Sequence, residues 1–237
     1  MRAYRATGVA LAVGALTTCA WVTPAWSCGA YYAVEMPQQP APKPKARPKP
    51  TPDMAMGIAE ASIPAEDPGK AAAALAEAFP GLRTTPMDAS RQQLKALHLM
   101  AVALARVDGA LSVPGAFYAD GPKTRAANLE WSIAALRRLN EQRANDPVLQ
   151  AELGEALARV PAHQDEALAI LGALAAKDLM GSAHGYAELA RLRAQKGDAG
   201  PSREAAVRCR AMTRSPAVCP ATLPDAPVAT KVALNGA

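Results

Sequence analysis

The chain has 237 residues, half of them apolar, yet aromatics make up only 4% and just two are Phe. The apolar content is mostly Ala and Leu, the strongest helix formers, while β-branched and aromatic strand formers are scarce; this argues against a sheet and for an all-α protein with small side chains at close helix contacts. The formal net charge of +5 sits outside the domain: Arg2, Arg5, Lys43, Lys45, Arg47 and Lys49 against Glu35 carry all of it, and from Pro50 onward 20 basic residues face 20 acidic ones. Bulk charge therefore gives no support to a nucleic-acid partner, which would need a basic face on the domain.

Residues 1–27 have the order of a secretory signal peptide. Arg2 and Arg5 supply the positive start, Val9 to Val22 a short apolar stretch, and, after the break at Pro24, Ala25 and Ser27 of Ala25-Trp26-Ser27 the small residues at the two positions a signal peptidase inspects. The apolar stretch falls short of the ~20 residues that a membrane-spanning helix needs. Residues 28–66 follow as a Pro-rich basic spacer. Seven prolines between Pro37 and Pro52 alternate with Lys, Arg and Ala. Proline fixes φ and donates no hydrogen bond, so this ribbon is expected to be extended, at ~3.1 Å per residue, and disordered.

A helical domain is expected over 67–219. Asp67-Pro68 is an N-cap with Pro at the first helical position, and Pro80-Gly81 closes that helix. Ser90 and Gln93 form a capping box before a helix with Leu94, Leu97, Met100 and Leu104 on one face. Asp108-Gly109 stops it. The loop 109–121 is long for a compact domain. Pro122 opens the next helix, with Leu129, Ile133, Leu136 and Leu139 in line; Asp146-Pro147 caps another, with Leu149, Leu153 and Leu157. Asp165 begins a helix with Leu168, Leu171 and Leu174, Ser182 precedes one with Tyr186, Leu189 and Leu192, and Pro201 opens the last, with Ala205, Cys209 and Met212. Residues 220–237, rich in Pro, Ala and Val without an apolar period, are expected to be a disordered tail.

Four cysteines are present. Cys19 would leave with the signal. Cys209 and Cys219 lie ten residues apart across a Ser-Pro turn and are the natural disulfide pair in an oxidising compartment. That pairing leaves Cys28 alone.

The alternation of helices and short breaks carries a repeat. Leu153-Gly154 with Leu157, then Ala167, Leu171 and Leu174, is matched by Tyr186 and Leu189-Ala190, then Ala205, Cys209, Met212 and Pro216. Leu153 and Leu189 are 36 residues apart, near the ~34-residue period of the tetratricopeptide repeat, whose small and large positions these resemble. A weaker copy joins Leu94, Leu97 and His98 to Ala127, Trp131 and Ala134. The resemblance implies helical hairpins stacked as a short array whose concave helices bind a protein or peptide partner. Arg193 stands at an aromatic position of that pattern. Arg137-Arg138 and Arg191-x-Arg193 read as ordinary exposed faces, with Arg191 or Arg193 as the candidate to line such a groove and grip an acidic peptide. The N-terminus resembles a bacterial lipoprotein, whose signal is cut just before a cysteine that is acylated, although Ala25 stands where Leu is usual and Trp26 is bulky. Two fates therefore fit Cys28: a lipid anchor, with the spacer as stalk, or plain secretion with a free or intermolecular thiol.

No catalytic, cofactor-binding or metal motif is present. Asp67-Pro68-Gly69-Lys70 lacks the earlier glycine and the hydroxyl of a phosphate-binding loop, and Ser112 sits in no nucleophile elbow. His98, His163 and His184 are far apart, with no second ligand at helical spacing. His98, among Leu and Met, is expected as a partly buried packing residue. Glu152 and Glu155, at i and i+3, are expected on a solvated face. The sequence thus points to an exported, non-enzymatic helical scaffold without cofactor, periplasmic or membrane-anchored, with a protein or peptide partner. Two rivals stand beside it: a purely structural envelope lipoprotein, and an enzyme whose site is assembled near the 109–121 loop. A deep polar pocket gathering His or paired carboxylates would favour the enzyme.

Overall fold

The computed structural model describes residues 48–111 and 122–220, all within one compact unit that starts at Arg47. The expected signal peptide, Cys28, most of the spacer, the body of the 109–121 loop and the tail from 221 onward lie outside the described residues. Among the described residues there are eight α-helices and no strand: α1 (Pro52–Ser62), α2 (Pro68–Ala78), α3 (Arg91–Arg106), α4 (Pro122–Gln142), α5 (Pro147–Ala158), α6 (Gln164–Ala176), α7 (Ala183–Gln195) and α8 (Ala199–Met212).

The helix starts follow local chemistry. Asp67 Oδ1 accepts from the Lys70 amide at 3.1 Å, Asp146 Oδ1 from the Val148 amide at 3.0 Å, and Ser182 Oγ from the Gly185 amide at 3.3 Å. Ser90 and Gln93 exchange both bonds of a capping box. Each cap satisfies amides that the first turn leaves without a helical partner. Pro201 stands two residues inside α8, still in the first turn, where its missing N–H costs nothing.

One boundary differs from the sequence reading. The spacer expected over 28–66 gives way to a helix at Pro52. Thr51 caps it, Pro52 fills its first position, and Ala55, Met56, Ala59 and Ser62 are buried at helical spacing. Its buried face is nearly all small, so in sequence it has the composition of a linker. Packing against α2, not a run of large apolar residues, holds it in place.

Consecutive helices pair into four hairpins, α1 with α2, α3 with α4, α5 with α6 and α7 with α8. The hairpins stack: α2 packs on α3, α4 on α5 and α6 on α7, while the odd-numbered helices also touch one another in series. The odd helices form one layer and the even helices the other. One core cluster runs from α1 to α5 around Leu97, Met100, Leu104, Leu136 and Leu157 and takes in Ala167 of α6 and Leu192 of α7; a second joins α5 to α8 around Leu171, Leu189 and Cys209. Leu168 and Ile170 pack against both.

Two glycines mark close approach. Gly109 ends α3 at φ +69°, and a Cβ there would lie 2.3 Å from the Arg125 carbonyl oxygen, so α4 can pass directly over the turn. Asn128 Nδ2 donates to the Gly109 carbonyl at 2.9 Å and locks that crossing. Gly154 faces Leu171, where a Cβ would meet Leu171 Cδ2 at 2.7 Å. The repeat resemblance centred on Leu153-Gly154 and Leu171 therefore falls on a real α5–α6 contact.

Leu153, Leu157, Leu171, Leu174 and Leu189 are buried as their spacing predicts. Met212 is not: it is 43% exposed. It is the last residue of α8, and Cys209, one turn earlier, takes the core position. Cys209 and Cys219 form a disulfide with Cα atoms 5.9 Å apart, folding the chain after α8 back onto it.

Leu171 is fully buried and wedged against Gly154. Its replacement by Ala is expected to cost about 2–5 kcal/mol, read from the shift in denaturant midpoint. A change of a few tenths would show the α5–α6 contact to be loose.

Candidate functional site

The layer of odd helices carries a ladder of polar pairs. Gln92 of α3 donates to Asp53 of α1 at 2.7 Å, and Lys95 pairs with Glu60. On the other side of α3, His98 Nε2 meets Glu152 Oε2 of α5. Two turns on, Arg106 donates through Nε and Nη2 to Glu155 Oε2, each at 3.2 Å. Glu155 Oε1 accepts from the Ser182 hydroxyl, the N-cap of α7. One carboxylate, only 5% exposed, thus ties the second, third and fourth hairpins together.

Glu152 and Glu155 do not stand on a solvated face. Helix α5 is surrounded: eight of its residues are buried, Glu155 among them. The signal in sequence was weak but present. Within α5, "PVLQAELGEALA", the two acids are the only charges and there is no base. A helix so poor in charge is enclosed on most sides, and its charges then need partners from other helices. His98 is half-buried as expected, but it is a hydrogen-bond partner of Glu152 as well as a packing residue.

Beside this knot lies a cavity of about 380 Å³. Its polar lining is Glu66, Arg106, Glu152, Ser182, His184 and Thr213; Ile63, Val148, Ala151 and Met212 supply apolar surface. It draws on the α1–α2 turn, the end of α3, the starts of α5 and α7 and the end of α8. Thr213 Oγ1 donates to Glu66 Oε1 at 2.7 Å, so the first and last hairpins meet across it. Val148 and Met212, at 55% and 43% exposure, form an uncovered apolar pair on its wall.

Two groups of the cavity have displaced ionisation. Burial holds the His184 imidazole below its ordinary pKa of 6.5, Arg106 pushes the same way, and Glu155 and Glu66 oppose them. Hydrogen bonds from Ser215 and Thr213 hold Glu66 below its ordinary value. Ser182 is not set up as a nucleophile: its hydroxyl donates to Glu155 and accepts from the Gly185 amide. Among the described residues no three His, Cys, Asp or Glu side chains gather as a metal site, and no helix is long and apolar enough to cross a membrane.

Of the two candidate groove arginines, Arg191 lines a cavity and Arg193 does not line it. Arg193 Nη1 donates to the Pro201 carbonyl at 3.2 Å on an exposed turn. Arg191 donates to Glu188 at 2.8 Å and to the Ala158 carbonyl at 2.5 Å, and lines a different cavity together with Arg159. Neither lines the cavity of His184. Compared with protein-family models, characterised proteins and solved structures, the chain matches none.

Glu155→Ala leaves Arg106 enclosed without its carboxylate and Ser182 without its acceptor. A loss of about 3–5 kcal/mol is expected in chemical denaturation, since breaking a buried pair strands the remaining charge. His184 gives a pH effect of definite sign. Its folded-state pKa lies below its unfolded value, so the unfolded chain takes up the proton first. Stability is expected to be full above about pH 6.5 and to fall as pH drops through the folded-state value. His184→Gln should flatten that part of the stability–pH curve and leave the rest unchanged.

Proposed function

We propose that the protein is an exported bacterial envelope scaffold that holds a segment of a protein or peptide partner on the odd-helix layer of its hairpin stack. The observation that carries this reading is the cavity with Val148 and Met212 uncovered above Glu66, Arg106, Glu152 and His184. Apolar side chains left exposed beside fixed polar groups suit a segment that buries one side chain and hydrogen-bonds another. The likeness of the sequence to tetratricopeptide repeats supports it, because in that family the inner helices carry the partner. Export is supported by the Cys209–Cys219 disulfide, a bond that persists in oxidising compartments. In this reading the Pro-Lys segment is a stalk and Cys28, directly after Ser27, is its acylated end.

Two measurements test it. Capture from envelope extracts with the wild-type chain should return a partner in more than trace yield. The double variant Val148→Asp, Met212→Asp, altered only at exposed positions, should lose that partner while keeping its thermal midpoint. Equal recovery by both would remove the cavity from the function, and an empty capture would favour a purely structural envelope protein. The intact mass of the mature chain decides its anchorage. An acylated Cys28 adds several hundred daltons and sends the protein to the detergent phase, whereas an unmodified Cys28 in the soluble fraction ends the lipoprotein reading.

One observation favours a second reading. His184, held toward its neutral form, shares the cavity with Glu66 and Glu152, as an acid–base site would require. The scaffold reading is preferred because Arg106, Ser182 and Glu66 are committed to holding helices together, and the cavity offers no activated nucleophile. A hydrolytic activity in the purified protein that His184→Ala abolishes would reverse that preference.

A further inference from the structure

We propose that the cavity between α7 and α8, apart from the one just described, is a docking site for an acidic segment of a protein partner: an Asp or Glu side chain beside a bulky aliphatic one. The proposal rests on the scaffold reading above and names the chemistry of a second contact.

The cavity measures about 620 Å³. One wall is made of small side chains, Ala187, Ala190, Ala194 and Ala206, closed at one edge by Val218. The other carries Arg159 and Arg191. Both guanidiniums are clamped on one enclosed carboxylate: Arg159 Nη2 lies 2.8 Å from Glu188 Oε1, and Arg191 Nε lies 2.8 Å from Glu188 Oε2. Glu188 is 7% exposed, whereas the two arginines keep 31% and 35% of their side-chain surface open.

Two cations against one anion leave a single positive charge at this wall. They also leave N–H groups without a partner among the described residues, Nε and Nη1 of Arg159 and Nη1 of Arg191, since Arg191 Nη2 is taken by the Ala158 carbonyl. Glu188 fixes both forks before any ligand arrives. Part of the rotamer entropy of gripping a carboxylate is therefore already spent, which favours its capture by one bond from each arginine. The alanine wall decides the rest of the ligand. It leaves an apolar volume that an aliphatic side chain would fill, and a small inorganic anion would not use it. One net charge and an alanine wall do not suit a polyanion, and like charge rejects a basic segment.

The test uses the purified, disulfide-intact chain and two probes, acetyl-Leu-Glu-Leu-amide and acetyl-Leu-Gln-Leu-amide, followed by NMR at the arginine Nε–H groups. The Glu peptide should shift the Arg159 and Arg191 signals and bind roughly tenfold tighter than the Gln peptide, the margin of a charge-assisted over a neutral bond. Arg159→Gln should weaken the Glu peptide by about tenfold and remove its preference over Gln. Ala194→Leu, at an exposed helix position, narrows the cavity and should weaken the response with the fold intact. Equal binding of the two peptides, silence of both at about 10 mM, or full binding by Ala194→Leu would each overturn the proposal. So would a response seen only in a chain ending at Pro220, which would assign the cavity to the chain's own C-terminal residues. A partner captured through Val148 and Met212 alongside a silent titration would leave the scaffold reading standing and remove this site alone.

Discussion

The arrangement of the hairpins depends on one buried carboxylate. Glu155 sits where α3, α5 and α7 meet, and its two oxygens are held by Arg106 from one side and Ser182 from the other. An ionised carboxylate taken from water without partners costs several kcal/mol, far more than any single alanine contact returns. The neighbouring hairpins are therefore constrained to bring their donors to it. Ser182 serves twice, since the same oxygen accepts from the Gly185 amide and so starts α7 at the point where Glu155 requires it.

That constraint matters because the core is built from small side chains. Ala72, Ala76, Ala96, Ala101, Ala103, Ala105, Ala156, Ala158 and Ala167 are all buried in the first cluster. Alanine faces let helices approach closely but discriminate poorly between registers, because a slide of one turn exchanges one methyl for another. The enclosed pairs Glu152–His98, Arg106–Glu155 and Arg159–Glu188 are satisfied in this register and would be broken by such a slide. Burial supplies the free energy of the stack and the ladder selects its alignment, as buried polar groups do when they fix pairing in coiled coils.

The same ladder shapes both candidate binding cavities. Where the charges neutralise one another around Arg106 and Glu155, the adjoining space is mixed, with a displaced His184 and the apolar pair Val148 and Met212. Where two arginines share Glu188, the adjoining space is positive and walled by alanines. The contrast comes from side chains whose first duty is to join helices. A partner that reads both cavities would be reading the alignment of the last two hairpins.

The local code was legible in the sequence. The Asp67, Ser90, Asp146 and Ser182 caps, the stop at Gly109 and the leucine stripes over α3 to α7 all act within a few residues of themselves, so spacing and side-chain type decided them. The Cys209–Cys219 bond was legible for the same reason, the two residues being joined by a short turn. Helix α1 was not, because its buried face of Ala55, Met56, Ala59 and Ser62 has a single large apolar residue and reads as linker until α2 covers it. Nor were the roles of Glu152, Glu155, Glu188, Arg159 and His184. Their spacing along each helix is what a solvated face would show. Only tertiary structure sets Arg106 and Glu155, 49 residues apart, or Thr213 and Glu66, 147 residues apart, within hydrogen-bonding distance. Beyond the sparse charge of α5, a charge in the sequence carries no mark of burial: that is decided by which helices pack around it, and the same packing supplies the partner that makes burial tolerable.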